Sequence, residues 1–186
     1  MSPLLETKRL LIRNFQSSDA PALHEMILQY EASGMAAYDQ SWPTTPGEVQ
    51  QVTDWFATGD HFLAVCLKRT GQFIGFVALN PEQDGVYNLG YIFNFDFHGK
   101  GYASEACRAV LAHAFENRQA SAIVSATAAL NHASCRLLGR LGFTVTGENR
   151  ASFRNAPDGS AIVFVGRSYR LSRETWLRGN RFSGLG

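Results

Sequence analysis

Apolar residues recur along this chain with two different periods. Short runs rich in β-branched and aromatic residues predict strands, whether polar residues alternate with the apolar ones or the run is continuously apolar. Seven runs of this kind occur, at residues 7–15, 61–68, 72–79, 86–93, 122–127, 143–154 and 161–171. The second and third runs are separated by Arg69-Thr70-Gly71 and predict a β-hairpin.

Spacings of three and four residues between apolar positions predict helices in the intervening segments. Ser17-Ser18-Asp19 supplies a cap for the first helix, and Thr45-Pro46-Gly47-Glu48 has the form of a capping box for the second. The helices are predicted up to about residue 30, between 45 and 59, from 103 to 115, and between 131 and 142. The order β-α-α-β-β-β-α-β-α-β-β predicts an α+β fold, an α/β sandwich with a largely antiparallel first half.

Length and composition fit one ordinary globular domain. The chain has 186 residues, of which 45% are apolar, 12% aromatic and 18% charged. We expect a single domain over residues 1–177 and a flexible, Gly- and Arg-rich tail over residues 178–186.

Charge and cysteine content argue against several classes of protein. Seventeen Lys and Arg against 16 Asp and Glu give a net charge of +1, which is no electrostatic signature of a nucleic-acid or membrane-surface partner. The longest apolar run, 62–67, is far shorter than the about 20 residues of a membrane span. The three cysteines are widely spaced and form no C-x-x-C pair, so we expect neither a metal site nor disulfides. Free thiols are typical of a reducing compartment, and we expect a cytoplasmic protein.

One glycine-rich segment, Asp96-Phe97-His98-Gly99-Lys100-Gly101-Tyr102-Ala103-Ser104, lies between a predicted strand and a predicted helix. Glycines let a backbone turn tightly and approach a ligand without a Cβ atom in the way. The first amide groups of a helix lack internal partners and lie at the positive end of its dipole. The segment therefore predicts a site for phosphate oxygens. The structural alternative is a tight strand-to-helix connection with no ligand.

Two well-known phosphate motifs do not fit this segment. A P-loop needs G-x-x-x-x-G-K-[ST], but Lys100 precedes Gly101, and Asn94 stands where the first glycine should be. A dinucleotide fingerprint needs a third glycine, where this chain has Ser104, and an acidic residue about 20 positions on. No Asp or Glu occurs between residues 116 and 148, so a nucleotide-binding module is disfavoured.

A third motif, [Q/R]-x-x-G-x-[G/A], fits better, and with it the chain resembles the GNAT acetyltransferases. Residues 88–93 with 98–106 resemble that family's fourth strand, coenzyme A pyrophosphate turn and third helix. Residues 131–143, NHASCRLLGRLGF, resemble its N-x-x-S-x-x-[LV]-[LY]-x-[KR]-x-G-F segment. Residues 6–10 and 169–174 resemble the ribosomal-protein N-terminal acetyltransferase branch, the RimJ/RimL type. The resemblance covers about residues 5–175.

The resemblance implies a mostly antiparallel mixed sheet of about seven strands with helices on both faces. The sheet would splay between its fourth and fifth strands, and acetyl-CoA would bind there as co-substrate. The pantetheine arm would bond to strand backbone around Ile92 and Phe93, and to Asn131 from the far side. The pyrophosphate would lie on the turn, so the implied binding residues also include His98, Gly99, Lys100, Gly101, Tyr102 and Ala103. His98 replaces the usual Gln or Arg, and it either contacts phosphate or has a structural role.

The resemblance also implies direct attack of an amine on the thioester in a ternary complex, with two proton transfers. Ser134 is the candidate donor to the departing thiolate, with a helix-capping role as the alternative. Many relatives use a tyrosine at the position of Leu138, and many place a glutamate near Asn88 as the base. Asn88 is not a useful base at neutral pH. For that role Asp39, Glu31, Asp84 and a water chain all stay open.

Two functions are compatible with these residues. The first is acetyl-CoA-dependent N-acetyltransfer to a primary amine, either a protein N terminus or a small molecule. The second is a non-catalytic CoA or acyl-CoA sensor of the same fold, because the usual glutamate and tyrosine are missing. Residues 31–44 lack periodicity and would border the acceptor site, or form a lid-like loop packed by its own aromatic residues. A homodimer is one open alternative for the oligomeric state.

Overall fold

The computed structural model describes residues 4–183, which form a single eight-stranded sheet and five helices. The helices are α1 (Ala20–Glu31), α2 (Pro46–Ala57), α3 (Tyr102–Glu116), α4 (His132–Arg140) and α5 (Arg173–Ser183). The strands are β1 (Leu5–Glu6), β2 (Leu10–Asn14), β3 (Phe62–Leu67), β4 (Phe73–Pro81), β5 (Val86–Phe93), β6 (Ala122–Ala128), β7 (Thr144–Ala151) and β8 (Phe164–Ser172).

The strand order is β1-β2-β3-β4-β5-β6-β8-β7. Strands β5 and β6 run parallel, and the other neighbouring pairs of the described sheet are antiparallel. This confirms the mixed, mostly antiparallel architecture. The predicted first strand corresponds to β2. The short β1 lies before it in the chain and pairs with it, so the predicted fourth and fifth strands are β5 and β6.

The two faces of the sheet carry separate cores. On one face α3 and α4 pack against odd-numbered residues of β5, namely Leu89 and Phe93. On the other face α1 and α2 pack against Phe76 and Ala78 of β4, with Ile92 of β5 beside them. Because side chains alternate along a strand, every odd position of β5 faces α3 and α4, and every even position faces α1 and α2.

The sequence pattern did not predict α5. This helix follows β8 directly, and the hydroxyl of Ser172 accepts a hydrogen bond from the amide of Thr175 at 3.1 Å, as a helix cap does. Its Trp176 is buried and stacks on Phe115 of α3, with ring centres 5.5 Å apart. The helix continues through residue 177, where the sequence predicted the domain to end. The flexibility expected of the tail stays a prediction, and residues 184–186 of that tail lie outside the described residues.

The longest helix between residues 4 and 183 is α3, with 15 residues. Within that range, no helix combines the length and the apolar character that crossing a membrane requires.

Candidate active site

The sheet divides after a short stretch of pairing between β5 and β6. These strands pair only at Val86↔Ala122, Tyr87↔Ile123 and Asn88↔Val124. Residues 89–93 of β5 still pair with β4 on their other side. We call the gap that begins after Asn88 the split; it leaves one edge of β5 without a neighbouring strand.

Side chains fix which main-chain groups of β5 face the split. Ser125 donates a hydrogen bond to the carbonyl of Leu89 at 2.9 Å, and the His98 ring donates one to the carbonyl of Phe93 at 2.9 Å. The carbonyls of residues 89 and 93 therefore point away from β4, and by the two-residue repeat the carbonyl and amide of Tyr91 do so too. The Ile92 carbonyl instead lies against Gly75 on β4. The main chain of Ile92 therefore faces β4 and does not support the expected bonding of Ile92 to the pantetheine arm. The main chain of Tyr91 faces the split.

The glycine-rich turn follows β5 and opens α3. Gly99 has φ +73° and Gly101 has φ +80°, which is left-handed backbone that favours glycine. Among the described residues, the amides of residues 99–104 have no hydrogen-bond acceptor. A Cβ atom at Gly99 would meet nothing within 4 Å, and one at Gly101 would lie 3.4 Å from the guanidinium of Arg9. The turn thus presents a run of main-chain donors at a helix start, a geometry that suits phosphate oxygens.

A cationic side chain from outside the turn, Arg9, flanks it. Arg9 donates a hydrogen bond to the Lys100 carbonyl at 2.9 Å, and its guanidinium carbon lies 4.4 Å from the centre of the Tyr102 ring. The carboxylate of Glu105 pairs with Arg9 at 2.6 Å. Burial alone would raise the pKa of Glu105, but hydrogen bonds from Thr7 and Arg9 outweigh it and hold this pKa below its usual range. Sequence reasoning missed Arg9, because only the fold brings it beside residues 92 positions later.

His98 makes the contacts of a structural residue. Besides its bond to the Phe93 carbonyl, the ring packs on Phe95 with centres 4.8 Å apart. These contacts favour the structural alternative for His98. Lys100 is similarly engaged, since its ammonium donates to the Asp96 carbonyl at 2.8 Å.

Ser134 lies across the split from β5. Its hydroxyl shares a hydrogen bond of 2.7 Å with the hydroxyl of Tyr91, which belongs to the odd-numbered side of β5. The side-chain carbonyl of Asn131 accepts a hydrogen bond from the Ser134 amide at 3.1 Å, which caps α4 and leaves the Asn131 amide nitrogen as its remaining donor. Leu138 is fully buried in the core. The alternation of β5 already places Tyr91 towards α3 and α4, so this residue could have been found from sequence.

A carboxylate stands next to Asn88 at the start of the split. The Asn88 amide donates a hydrogen bond to Glu82 Oε1 at 3.1 Å. Asn88 is an even-numbered residue of β5, so this pair lies on the α1–α2 face. Tyr91 and Ser134 lie on the opposite face. Sequence reasoning did not consider Glu82 and named Asp84 of the same turn instead, because only the paired strands show which of the two carboxylates meets Asn88.

The carboxylates of residues 31–44 are already engaged. Both oxygens of Glu31 accept hydrogen bonds from Arg154, at 2.7 and 2.8 Å, and Asp39 accepts one from Tyr30 at 2.9 Å. Tyr38 packs on Phe164 of β8, with ring centres 5.5 Å apart. The segment is therefore fixed to the rest of the chain, beyond any packing among its own aromatic residues.

Two surface depressions lie away from the split and the turn. Depressions of about 390 Å³ and about 340 Å³ are both lined by Arg108 of α3 and Trp176 of α5. Neither includes residues of the split or the turn. Between residues 4 and 183, no three His, Cys, Asp or Glu side chains lie close enough together to hold a metal ion.

Comparison with known proteins gives a consistent family. The model of the acetyltransferase (GNAT) domain matches residues 9–144. The chain is 26% identical over 144 residues to the uncharacterized N-acetyltransferase YnaD of Bacillus subtilis (strain 168), spanning 74% of this chain and 81% of that protein. It is 26% identical over 195 residues to the FsC-acetyl coenzyme A-N(2)-transacetylase of Aspergillus fumigatus, spanning 95% of this chain and 79% of that protein.

Solved structures show the same fold. An acetyltransferase (GNAT family) from Bacillus anthracis superposes with a TM-score of 0.78 at 23% identity, over 91% of this chain and 98% of that one. A ribosomal-protein-S5-alanine acetyltransferase from Vibrio fischeri superposes with a TM-score of 0.75 at 18% identity, over 92% of this chain and 97% of that one. A spermidine N-acetyltransferase from Vibrio cholerae, in complex with CoA and spermine, superposes with a TM-score of 0.75 at 16% identity, over 92% of this chain and 99% of that one.

Proposed function

The chain belongs to the GNAT acetyltransferase family and is an acyltransferase, and we propose that it moves an acetyl group from acetyl-CoA to a primary amine by direct attack in a ternary complex. The observation that carries this proposal is the pairing of two features. Main-chain donors without protein acceptors line the turn, and a hydroxyl pair bridges the adjoining split.

The turn and the split fit the two chemically different parts of the donor. Amides of residues 99–103, with Arg9 nearby, suit the charged pyrophosphate. The β5 edge, with the Tyr91 main chain and the amide of Phe93, suits the amide-bearing pantetheine arm as an added strand would. Asn131, which caps α4, would offer its side-chain nitrogen to the arm. Bound acetyl-CoA supplies the activated acetyl thioester.

The proton transfers are assigned to opposite faces of the sheet. On the α3–α4 face, Ser134 donates a proton to the departing sulfur. On the α1–α2 face, Glu82, held by Asn88, accepts the proton of the incoming amine. Glu31 is less suited to this task, because its hydrogen bonds with Arg154 hold its pKa below the usual range. With acid and base on opposite faces, the amine can approach the thioester from the α1–α2 face while Ser134 contacts the sulfur from the α3–α4 face.

For the acceptor, a protein N terminus is the class favoured by the terminal segments that resemble the RimJ/RimL branch. The similarity in fold to an S5-alanine acetyltransferase supports this class, and the similarity to a spermidine acetyltransferase supports small amines. The fold alone does not select between them, since it is shared across unrelated substrates.

The test combines binding with turnover. Calorimetry should show binding of acetyl-CoA and CoA but not of NAD, and a panel of N-terminal peptides and polyamines should include one amine that releases free thiol. Binding of CoA without thiol release from any amine would favour the sensor instead. Binding of neither CoA nor acetyl-CoA would overturn both functions.

Gly101→Glu places bulk and negative charge at the turn. We expect it to weaken CoA binding by at least about 100-fold, the loss of roughly 3 kcal/mol of charge-assisted hydrogen bonding. Gly101→Ala is the matched control, because it brings the same Cβ strain at φ +80° without the charge. It should weaken binding about tenfold or less. Equal affinity in Gly101→Glu and the parent protein would count against this placement.

Glu82→Gln tests the assigned base. We expect kcat/KM at neutral pH to fall by about 10²-fold or more, while CoA affinity stays unchanged. Asp84→Asn is the control, since Asp84 lies in the same turn and asparagine tolerates its φ of +57°. If Asp84→Asn proves the more damaging change, the base is Asp84 rather than Glu82.

A further inference from the structure

Tyr91 and Ser134 form a pair of hydroxyls with one hydrogen to spare. Each hydroxyl carries one hydrogen, and the single 2.7 Å bond between them uses only one. Within the described residues, neither oxygen has another side-chain or main-chain partner. The second hydrogen therefore has no acceptor in the described protein. A partly buried donor of this kind, at the edge of a ligand cleft, is suited to bond a ligand atom.

The identity of the spare hydrogen follows from the chemistry of the two groups. A phenol is a stronger hydrogen-bond donor than an alkyl hydroxyl, so the preferred arrangement has Tyr91 donating to Ser134 Oγ. Burial raises the pKa of Tyr91, which keeps the phenol protonated and able to donate throughout the neutral range. Ser134 is itself held in place, since its amide bonds to Asn131. The hydrogen left over is then that of Ser134.

We propose that Tyr91 is a positioning residue that donates its hydrogen to Ser134 Oγ and thereby directs the Ser134 hydroxyl hydrogen towards the sulfur of CoA. This inference rests on the proposed function. Tyr91 acts only through Ser134. The pair would also explain how Ser134 can be the proton donor in a chain that has Leu138 where many relatives have a tyrosine.

The proton balance of the step closes without an extra reactant beyond water. As the amine nitrogen bonds to the carbonyl carbon, the carbon–sulfur bond breaks and its electron pair leaves with the sulfur. Ser134 gives its hydrogen to that sulfur. The proton that Glu82 took from the amine nitrogen returns through water to the Ser134 oxygen, so the amide and the free thiol are the only products and no hydroxide is left over. Tyr91 keeps its own hydrogen throughout, because its raised pKa disfavours the phenolate.

The experiment compares Tyr91→Phe, Ser134→Ala and the double variant. We expect kcat to fall about tenfold in Tyr91→Phe and about 100-fold in Ser134→Ala, each with the KM for acetyl-CoA changed less than about threefold. The double variant should be no slower than Ser134→Ala, because a residue that acts through Ser134 has nothing to position once its hydroxyl is gone. Tyr87→Phe is the matched control, on the same strand and face, and it should leave kcat unchanged.

A binding measurement supplies a readout without turnover. Calorimetry on CoA and on desulfo-CoA, which lacks the thiol, should show a preference for CoA of about fivefold, corresponding to one net hydrogen bond of about 1 kcal/mol. This preference should decrease in Tyr91→Phe and disappear in Ser134→Ala. Circular dichroism melting curves set a temperature at which all variants are folded, so a loss of stability does not obscure the comparison.

The outcomes separate this inference from the function on which it rests. Wild-type kcat and thiol preference in Tyr91→Phe would overturn the positioning role, as would a double variant whose loss equals the product of the single losses. If the parent protein binds no CoA, the proposed function itself fails. If it binds CoA and turns over, but Tyr91→Phe behaves like Tyr87→Phe, only the role of Tyr91 fails.

Discussion

At the scale of single residues, one ion pair holds the segment 31–44 against the far side of the sheet. Arg154, which lies between β7 and β8, forms a bidentate salt bridge with Glu31. It also donates a hydrogen bond to the Asp39 carbonyl at 2.7 Å. The side chains of Arg154 and Glu31 are only 18% and 16% exposed. Limited exposure and paired geometry make this interaction stronger than an ordinary surface salt bridge.

Glu31→Gln tests this pair through the pH dependence of stability. The hydrogen bond from Arg154 lowers the pKa of Glu31 in the folded protein. Its stabilisation is therefore complete above the ordinary glutamate value of about 4.3, and it is lost as pH falls through the lowered pKa. We expect the variant to lose about 1–2 kcal/mol of unfolding free energy at pH 7 and much less at pH 3, as measured by urea denaturation.

Glu148→Gln is the control for that measurement. Glu148 pairs with Arg167 at 2.7 Å, but the two side chains are 49% and 32% exposed. Solvent screens such a pair, so its loss should leave the unfolding free energy at pH 7 nearly unchanged. An equal loss in Glu31→Gln at pH 3 and pH 7 would show that packing, rather than charge, is what the substitution removes.

Residues of the candidate site were predictable where the local sequence around them indicates their role. The glycines of the turn are required by its left-handed backbone. Ser134 was expected from the resemblance of residues 131–143 to the family's N-x-x-S segment, and its amide does bond to the Asn131 side chain. Arg9 and Glu82 were not predictable. Packing of α3 against the β1–β2 hairpin brings the turn to Arg9, and pairing of β4 with β5 brings Asn88 to Glu82. The bonds of His98 to the last residue of β5 and of Lys100 to a carbonyl of the turn are likewise set by local geometry that periodicity does not encode.

At the scale of elements, the sequence pattern located the strands that carry alternation and the helices that carry caps. Strand β5 occupies the predicted residues 86–93, and α2 begins after Thr45, whose hydroxyl accepts from the Glu48 amide as the capping box predicts. The helix α5 was missed because only Trp176 of its first turns is buried, so the segment lacks an apolar stripe. The short β1 is recognisable only through its pairing with β2.

The extent of the split is also an element-scale property. Three residue pairs join β5 to β6, and then the Ser125 hydroxyl takes the place of a strand partner at the Leu89 carbonyl. No periodicity distinguishes a paired from an unpaired edge, since the side chains of β5 alternate over its whole length. The resemblance to a family supplied this feature, and the residues alone did not.

At the scale of the whole molecule, the last strand and helix complete a core that begins in the first half of the chain. Tyr169 and Leu171 of β8 and Trp176 of α5 belong to the same core as Leu111 and Phe115 of α3. The family match ends at residue 144, before all three. The fold therefore depends on residues beyond the segment by which the family is identified.

Trp176→Ala tests whether α5 is an integral part of the domain. Trp176 is 4% exposed and stacks on Phe115, so its truncation should cost about 3–5 kcal/mol in unfolding free energy. Trp176→Phe should cost less, about 1.5 kcal/mol, because it keeps the ring contact and removes an indole N–H that is buried without a partner among the described residues. Leu177→Ala, at a neighbouring position that is 44% exposed, is the control and should cost about 0.5 kcal/mol. Urea denaturation followed by circular dichroism measures all three. If Trp176→Ala is as mild as Leu177→Ala, then α5 contributes nothing to the core, and the domain ends with β8 rather than after the helix.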